Sequence, residues 1–210
     1  MKVEIQDVLF WMDAIRNSED KYRTLESFWK GQVNSKVWLI DSLESLPVCR
    51  DLNNRIAIYG GWNGVLASLL FNSKLDIEKI TSIDIDSACE EIANTVNKNY
   101  EISGKFNAVT ADMCNYTQSA DIVINTSCEH ITQEQYEQWL LNQPDNALFV
   151  VQSNNYFDLD EHIRCATDIN DFMRMSNIKP YWRGEFETPK YTRYMIIGCL
   201  LYTSPSPRDS

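Results

Sequence analysis

Residues 55–66 read RIAIYGGWNGVL, an apolar run followed by three closely spaced glycines and a second apolar run. The run from Ile56 to Tyr59 is typical of a buried strand, and a helical pattern follows from Val65 to Leu70. Glycine serves where the backbone takes positive φ or approaches a ligand closely. The helix after such a turn directs free N–H groups and its positive dipole end at whatever lies above the turn. The stretch therefore predicts a strand, a turn and a helix beside a cofactor crevice.

Three further apolar runs also end in polar residues, which strengthens the prediction of a parallel sheet. The run 79–84 ends in Asp84, 24 residues after Gly60, and an acid at this distance is placed to bind ribose hydroxyls. The other two runs are 105–110, followed by Asp112 and Met113, and 120–124, followed by the polar residues 125–130. We expect all four strand ends at one edge of the sheet.

Because of the residues at these four strand ends, residues 52–198 resemble the class I, Rossmann-like S-adenosylmethionine-dependent methyltransferases. The resemblance implies an α/β fold, with a mostly parallel sheet, helices on both faces and an antiparallel last strand. It also implies S-adenosylmethionine as the cofactor. The cofactor-binding residues it implies are Tyr59, Gly60, Gly61, Trp62, Asn63, Gly64, Asp84, Ile85, Asp112, Met113 and Asn125.

Individual positions carry this resemblance. Gly60 and Gly64 match the first and last glycines of the family's first motif, and Asp84 matches its ribose-binding acid. The pair that meets adenine is matched by Asp112 and Met113. Two positions depart from the pattern: Trp62 replaces the middle glycine, and Ile58 replaces the acid that precedes the glycine turn.

The strand over 120–124 is followed by Glu129 and His130, as in small-molecule members of the family. Methyl transfer needs proximity, orientation and a base when the acceptor must lose a proton. Histidine titrates near neutrality, so we predict His130 as the catalytic base, with Glu129 as the alternative. Two ligands are too few for a metal site, and His162 is expected at the surface, so no metal is predicted.

A fifth predicted strand, 147–151, and a hairpin over 181–198 complete the sheet and supply the predicted acceptor site. Asn154 and Asn155 follow the fifth strand and are expected to orient the acceptor. Lys190 and Arg193 of the hairpin are expected to hold a negative group on it. An ordinary loop and solvated strand faces remain the alternatives.

Residues 1–50 are predicted to form a helical extension. Its first helix carries apolar residues at helical spacing, namely Ile5, Val8, Leu9, Met12 and Ile15. Aromatic side chains are frequent in this region, and they are expected either to pack as core or to form a lid over the active edge.

Composition narrows the possible functions. A single domain accommodates the 210 residues, and the formal net charge of −11 disfavours a bare nucleic-acid partner, which needs a basic surface. No signal peptide or membrane-length apolar run is visible, so we expect a cytoplasmic protein without a membrane partner. The oligomeric state is left open.

Residues 199–209 resemble a translated sequencing adapter, a common contaminant of assembled metagenomic reads. We therefore predict one methyltransferase-like domain over 1–198 and a non-native tail over 199–210. A native tail rich in serine and proline is the alternative.

Three functions are compatible with the sequence. The first is methyl transfer to a small polar or anionic molecule. The second is a methyltransferase acting on RNA or protein, which would need a basic docking face. Residues 125–128 lack the Asn/Asp-Pro-Pro-aromatic pattern of DNA amino-methyltransferases, which argues against a flipped adenine or cytosine amine as the acceptor. The third is a module that binds a nucleotide or S-adenosylmethionine without catalysis.

Overall fold

A computed structural model describes residues 1–50 and 54–201 of the chain. Within this part, seven strands form one sheet in the order β3-β2-β1-β4-β5-β7-β6. The strands are β1 Asn54–Tyr59, β2 Ile77–Asp84, β3 Phe106–Thr110, β4 Ile122–Asn125, β5 Leu148–Asn154, β6 Ile178–Glu187 and β7 Thr192–Leu200. β1 to β5 pair in parallel, and β7 runs antiparallel to both β5 and β6. The predicted fold class is confirmed.

Helices cover both faces of the sheet. Those of the described residues are α1 Ile5–Asn17, α2 Lys21–Glu26, α3 Lys30–Ser45, α4 Pro47–Arg50, α5 Val65–Phe71, α6 Ala88–Val96, α7 Lys98–Ile102, α8 Gln133–Leu141 and α9 Ile169–Ser176. A single 3₁₀ turn, Cys128–His130, follows β4. None of these helices is long and apolar enough to cross a membrane.

The alternating side chains of β1 divide the core into two layers. Ile56 and Ile58 pack in one cluster with Leu39 of α3. Ala57 and Tyr59 point to the other face, where they join the cluster of Trp139 from α8. Successive side chains of a strand point to opposite faces, so a fully apolar strand is stable only with helices on both sides.

The strand order reverses between β1 and β4, and this places the crevice. β2 and β3 lie on one side of β1, whereas β4 and β5 lie on the other. In open α/β sheets a ligand crevice forms outside the carboxyl ends of the strands at such a reversal. The glycine turn follows β1 and the 3₁₀ turn follows β4, so both flank this crevice.

The first helix packs on a different face from the predicted one. Its apolar residues Ile5, Leu9 and Met12 are exposed, whereas Asp7 and Ala14 are buried. This face is buried because the carboxylate of Asp7 accepts hydrogen bonds from three side chains outside the N-terminal extension. The donors are Asn72 Nδ2 at 2.7 Å, Asn99 Nδ2 at 2.8 Å and the Tyr100 hydroxyl at 2.8 Å.

The last strand passes the predicted domain boundary at Gly198. Cys199 pairs with Lys179 and Leu200 pairs with Ile178, so two residues assigned to the tail lie in the sheet. Backbone pairing tolerates most side chains, and β6 is long enough to offer these partners. Residues 202–210 of the predicted tail lie outside the described residues.

Candidate active site

A cavity of about 830 Å³ runs along the carboxyl ends of the strands. Its floor is the glycine turn after β1 and the 3₁₀ turn after β4. Residues of α2 and α3, among them Arg23, Gln32 and Lys36, line the opposite wall. The N-terminal helices therefore form a wall of the cavity, but polar side chains line it rather than the aromatic ones expected for a lid. Trp11 and Phe28 instead pack against the core.

The glycine turn needs left-handed backbone at three positions. Gly60, Trp62 and Gly64 have φ values of +66°, +48° and +72°. A tryptophan in this conformation carries backbone strain. The Trp62 N–H donates to Asp84 Oδ2 at 2.8 Å, which helps to hold the turn. Gly61 is required sterically, because a Cβ atom there would lie 2.0 Å from Ser82 Oγ.

Asp84 links the glycine turn to the end of β2. Its Oδ2 accepts from Trp62, and its Oδ1 accepts the Asp86 N–H at 3.0 Å. Each carboxylate oxygen has a second lone pair, so Asp84 retains acceptor capacity toward the cavity. Ile85, which is 73% exposed, and Met113 line the same part of the cavity.

Asn63 presents an unpaired donor to the cavity. The residue is only 2% exposed, and its Nδ2 has no hydrogen-bond partner among the described residues. A buried amide without a partner costs about 1–3 kcal/mol. A polar ligand group that accepts this hydrogen bond would remove the cost.

Four predicted cofactor residues, Tyr59, Gly64, Asp112 and Asn125, lie away from the cavity wall. The Tyr59 hydroxyl accepts the Gln118 N–H at 3.1 Å in the core behind the sheet, where burial raises the pKa of Tyr59. Asp112 accepts from Cys114 N at 2.9 Å and from Asn115 Nδ2 at 2.8 Å. Asn125 is fully buried, and its Oδ1 accepts the Ser127 N–H at 3.0 Å. These side chains shape the loops around the crevice.

Glu129 is the buried acid at the other end of the cavity. It is 2% exposed, and its Oε1 accepts from Asn154 Nδ2 at 2.7 Å and from Arg193 Nη2 at 3.2 Å. Its Oε2 has no hydrogen-bond partner within the described ranges. Glu129 therefore has one oxygen engaged by neighbours and one without a partner.

His130 lies next to His162 at the mouth of this end. The two ring centroids are 4.8 Å apart, and the rings are nearly perpendicular. His130 is exposed and His162 is half-buried. His162 was predicted to be a surface residue, whereas the loop after β5 carries it to the cavity. No pattern in the sequence joins residues 32 positions apart.

The predicted acceptor residues have mixed positions. Arg193 is 8% exposed, and besides Glu129 it contacts the carbonyl oxygen of Thr126 at 3.1 Å. Lys190 is exposed and lines the cavity. Asn154 is buried behind Glu129, and the Oδ1 of Asn155 accepts the Thr192 N–H at 2.7 Å. Both amides thus hold protein groups, and neither lines the cavity.

Lys36 lines the cavity but was not among the predicted site residues. Burial, followed by the nearby Arg193 cation, lowers the pKa of Lys36 to about 7. Its ammonium donates to Gln32 Oε1 at 3.0 Å. One signal was present in the sequence, because Lys36 shares helical spacing with the buried Leu39, Ile40 and Leu43.

Comparison with known proteins gives no match to a family model and none to a curated protein. Solved structures do match. Magnesium protoporphyrin IX methyltransferase (ChlM) from Synechocystis PCC 6803 with bound SAH has a TM-score of 0.63 and 11% identity, over 93% of this chain and 94% of that one. The N-methyltransferase NodS from Bradyrhizobium japonicum WM9 has a TM-score of 0.62 and 10% identity, over 80% and 95%.

An RNA-bound protein also shares the fold. aTrm5 in complex with tRNALeu has a TM-score of 0.58 and 10% identity, and the match covers 80% of this chain and 45% of that one. At such identities the similarities show the fold of this chain alone.

Proposed function

We propose that this protein transfers a methyl group from S-adenosylmethionine to a small polar or anionic molecule. The observation that carries the proposal is one continuous cavity with two different ends. The glycine turn and Asp84 line one end. Glu129, His130 and Arg193 line the other. Structural neighbours that contain SAH, such as ChlM, support the choice of cofactor.

The residues at the first end fit this cofactor. Asp84 would accept hydrogen bonds from ribose hydroxyls, because its carboxylate oxygens retain lone pairs. The unpaired amide of Asn63 would donate to a polar group of the cofactor, and Met113 and Ile85 would contact its flat base. When bound, S-adenosylmethionine supplies a methyl group on a positively charged sulfur.

The residues at the second end suit an acceptor that carries negative charge. Lys190 and Lys36 line this part of the cavity, and the Arg193 guanidinium lies beside them. His130 lies at the mouth of the cavity, where its imidazole would accept the proton that the acceptor loses. Only Oε1 of Glu129 is engaged by Asn154 and Arg193, and we propose that this oxygen positions these two side chains.

A small acceptor is favoured over RNA by charge and enclosure. The chain has 30 acidic and 19 basic residues, so most of its surface repels a polyanion. A cavity of about 830 Å³ accommodates a cofactor with a small partner.

The proposal is tested by isothermal titration calorimetry of the full chain with S-adenosylmethionine, S-adenosylhomocysteine and NAD. We expect the two sulfur compounds to bind and NAD not to bind. Asp84→Ala should weaken binding by about 1.5–3 kcal/mol, roughly 10- to 150-fold, because charged hydrogen bonds to hydroxyls are lost.

Asp145→Ala is the matched control, since Asp145 is exposed in the loop before β5, at the opposite edge of the sheet. Its affinity should equal that of the wild type. An unchanged affinity in Asp84→Ala would contradict the cofactor assignment. Tight, salt-sensitive binding of the wild type to tRNA would favour a methyltransferase acting on RNA.

A further inference from the structure

Glu129, His130 and His162 bring three metal-binding groups to one end of the cavity. One candidate ligand atom from each residue lies within 4.8 Å of the other two. From these groups we infer a binding site for a divalent transition-metal ion, which holds the methyl acceptor. The inference rests on the proposed function for the acceptor, whereas the metal site itself is independent of it.

The buried carboxylate gives the first reason. Glu129 Oε1 is satisfied by Asn154 and Arg193, but Oε2 has no partner in the described part of the chain and is inaccessible to water. An unpartnered carboxylate oxygen is costly to bury. A cation bound to Oε2 would compensate this cost.

Both imidazoles are held in the form that binds metals. His130 Nδ1 lies 3.2 Å from the carbonyl oxygen of Glu161, and His162 Nδ1 lies 2.8 Å from that of Tyr156. A carbonyl oxygen only accepts, so each Nδ1 carries the hydrogen. In the neutral ring Nε2 then has the free lone pair, and Nδ1–H donation to a backbone carbonyl is the usual orientation of metal-binding histidines.

The loops that carry the ligands are fastened to each other. The Arg164 N–H donates to the Glu129 carbonyl oxygen at 3.0 Å, which ties the loop after β5 to the 3₁₀ turn. The Tyr156 ring contacts the His162 ring edge-on and stacks on Tyr191. In a tetrahedral site with bonds of about 2.1 Å, two ligand atoms are separated by about 3.4 Å. The three side chains, whose ligand atoms lie within 4.8 Å of one another, would move closer together as they bind the ion.

The ligand set selects the class of ion. Two imidazoles and one carboxylate suit Zn²⁺, Fe²⁺, Co²⁺ or Mn²⁺, and three protein ligands leave coordination positions open. Mg²⁺ and Ca²⁺ are disfavoured, because they prefer oxygen ligands throughout. The site is therefore of the open kind, which accepts a further ligand from the cavity.

A hydroxyl or carboxylate of the acceptor would occupy an open position. Coordination lowers the pKa of a bound hydroxyl, so its O–H bond breaks, the oxygen keeps the electron pair and the proton passes to water. His130 then acts as a metal ligand rather than as the direct proton acceptor.

The test is metal titration of the full chain after treatment with a chelator. Zn²⁺ is added in calorimetry, and Co²⁺ is added separately and followed by its visible absorption bands. We expect one equivalent to bind with a dissociation constant in the micromolar range or below. His162→Ala and His130→Ala should each weaken binding by roughly 100-fold or more, since each removes a direct ligand.

Asp160→Asn is the matched control, because Asp160 is an exposed acid two residues from His162. Its metal affinity should stay within about twofold of the wild type. Glu129→Gln tests the buried ligand while keeping an acceptor for Asn154, and circular dichroism checks that it folds. Binding of less than one equivalent, or undiminished binding in His162→Ala, would overturn the inference, and so would equal losses in Asp160→Asn.

Cofactor titration of the same variants separates the two proposals. His162→Ala should bind S-adenosylmethionine like the wild type. Metal binding that fails while cofactor binding persists contradicts only the metal site. Cofactor binding that fails while metal binding persists contradicts only the proposed function.

Discussion

The apolar pattern of the sheet domain predicts which residues are buried, whereas the apolar pattern of α1, the first helix of the N-terminal extension, does not. In the sheet domain, the apolar runs of β1 and α5 are buried where their periodicity predicts. In α1, the apolar residues Ile5, Leu9 and Met12 are exposed, and the buried face contains a carboxylate. Packing of α1 thus includes directed hydrogen bonds to a buried carboxylate, whereas packing of the sheet domain depends on continuous apolar area.

The contrast has a physical basis. A sheet has two faces that must both be covered, so its strands and helices have no alternative partner for their apolar residues. A terminal helix packs on a surface that already exists, and its orientation follows the groups on that surface. Here those groups are Asn72, Asn99 and Tyr100, and burial together with the Asp7 hydrogen bond raises the pKa of Tyr100.

The largest effect is expected in the sheet domain, at Gly64. A Cβ atom there would lie 2.6 Å from Asn97 Nδ2 and 3.1 Å from Ala93 Cα, and φ is +72°. Gly64→Ala should lower the free energy of unfolding by about 3–4 kcal/mol, through backbone strain and overpacking. Urea unfolding measures this loss.

Gly104→Ala separates the two causes. Gly104 has a similar φ of +74°, but a Cβ atom there would have no neighbour within 4 Å in the described residues. This variant should lose only about 1 kcal/mol, the cost of the left-handed backbone. Equal losses at both glycines would contradict close packing at the turn.

The second effect concerns the polar attachment of the extension. Asp7→Ala removes the acceptor of three buried or half-buried donors, so we expect a loss of about 2–3 kcal/mol in unfolding free energy. Leu9→Ser is the control on the exposed face of the same helix, where Leu9 is 52% exposed. Its effect should stay within about 0.5 kcal/mol. A larger loss in Leu9→Ser than in Asp7→Ala would reverse the assignment of the packed face.

The smallest effect concerns Lys36, one of the residues of the extension that line the cavity. Because its pKa is about 7 when folded and near its ordinary value when unfolded, the unfolded chain binds more protons between these values. Stability therefore rises with pH through this window, and the cost of the buried charge is complete below about pH 7.

Lys36→Met should accordingly stabilise the protein by about 1–2 kcal/mol at pH 6, a figure reduced for partial exposure, and by little at pH 10. Melting temperatures at both pH values measure the difference. A stabilisation that is the same at pH 6 and pH 10 would show that the Lys36 amine is not perturbed.

Local patterns in the sequence were sufficient for the sheet and its helices, but not for the packed face of α1 or the end of β7. The strand periodicities, the glycine turn and the acid after β2 depend on neighbouring residues, and each has one stable arrangement in a sheet covered on both faces. The same patterns located Gly60, Asp84 and Met113 at the cavity. They also located Glu129 and His130 after β4, because chain direction in a parallel sheet brings the strand ends together.

The chemical environment of the site depended on contacts between distant parts of the chain. The pairing of Glu129 with Arg193 joins residues 64 positions apart, and the approach of His162 to His130 requires the path of the loop after β5. The lowered pKa of Lys36 depends on its burial and on the charge of Arg193, a residue of β7. Hydrogen bonds and electrostatic interactions act through space over a few ångströms. The periodicity of a sequence does not indicate which distant groups the folded chain brings within that range.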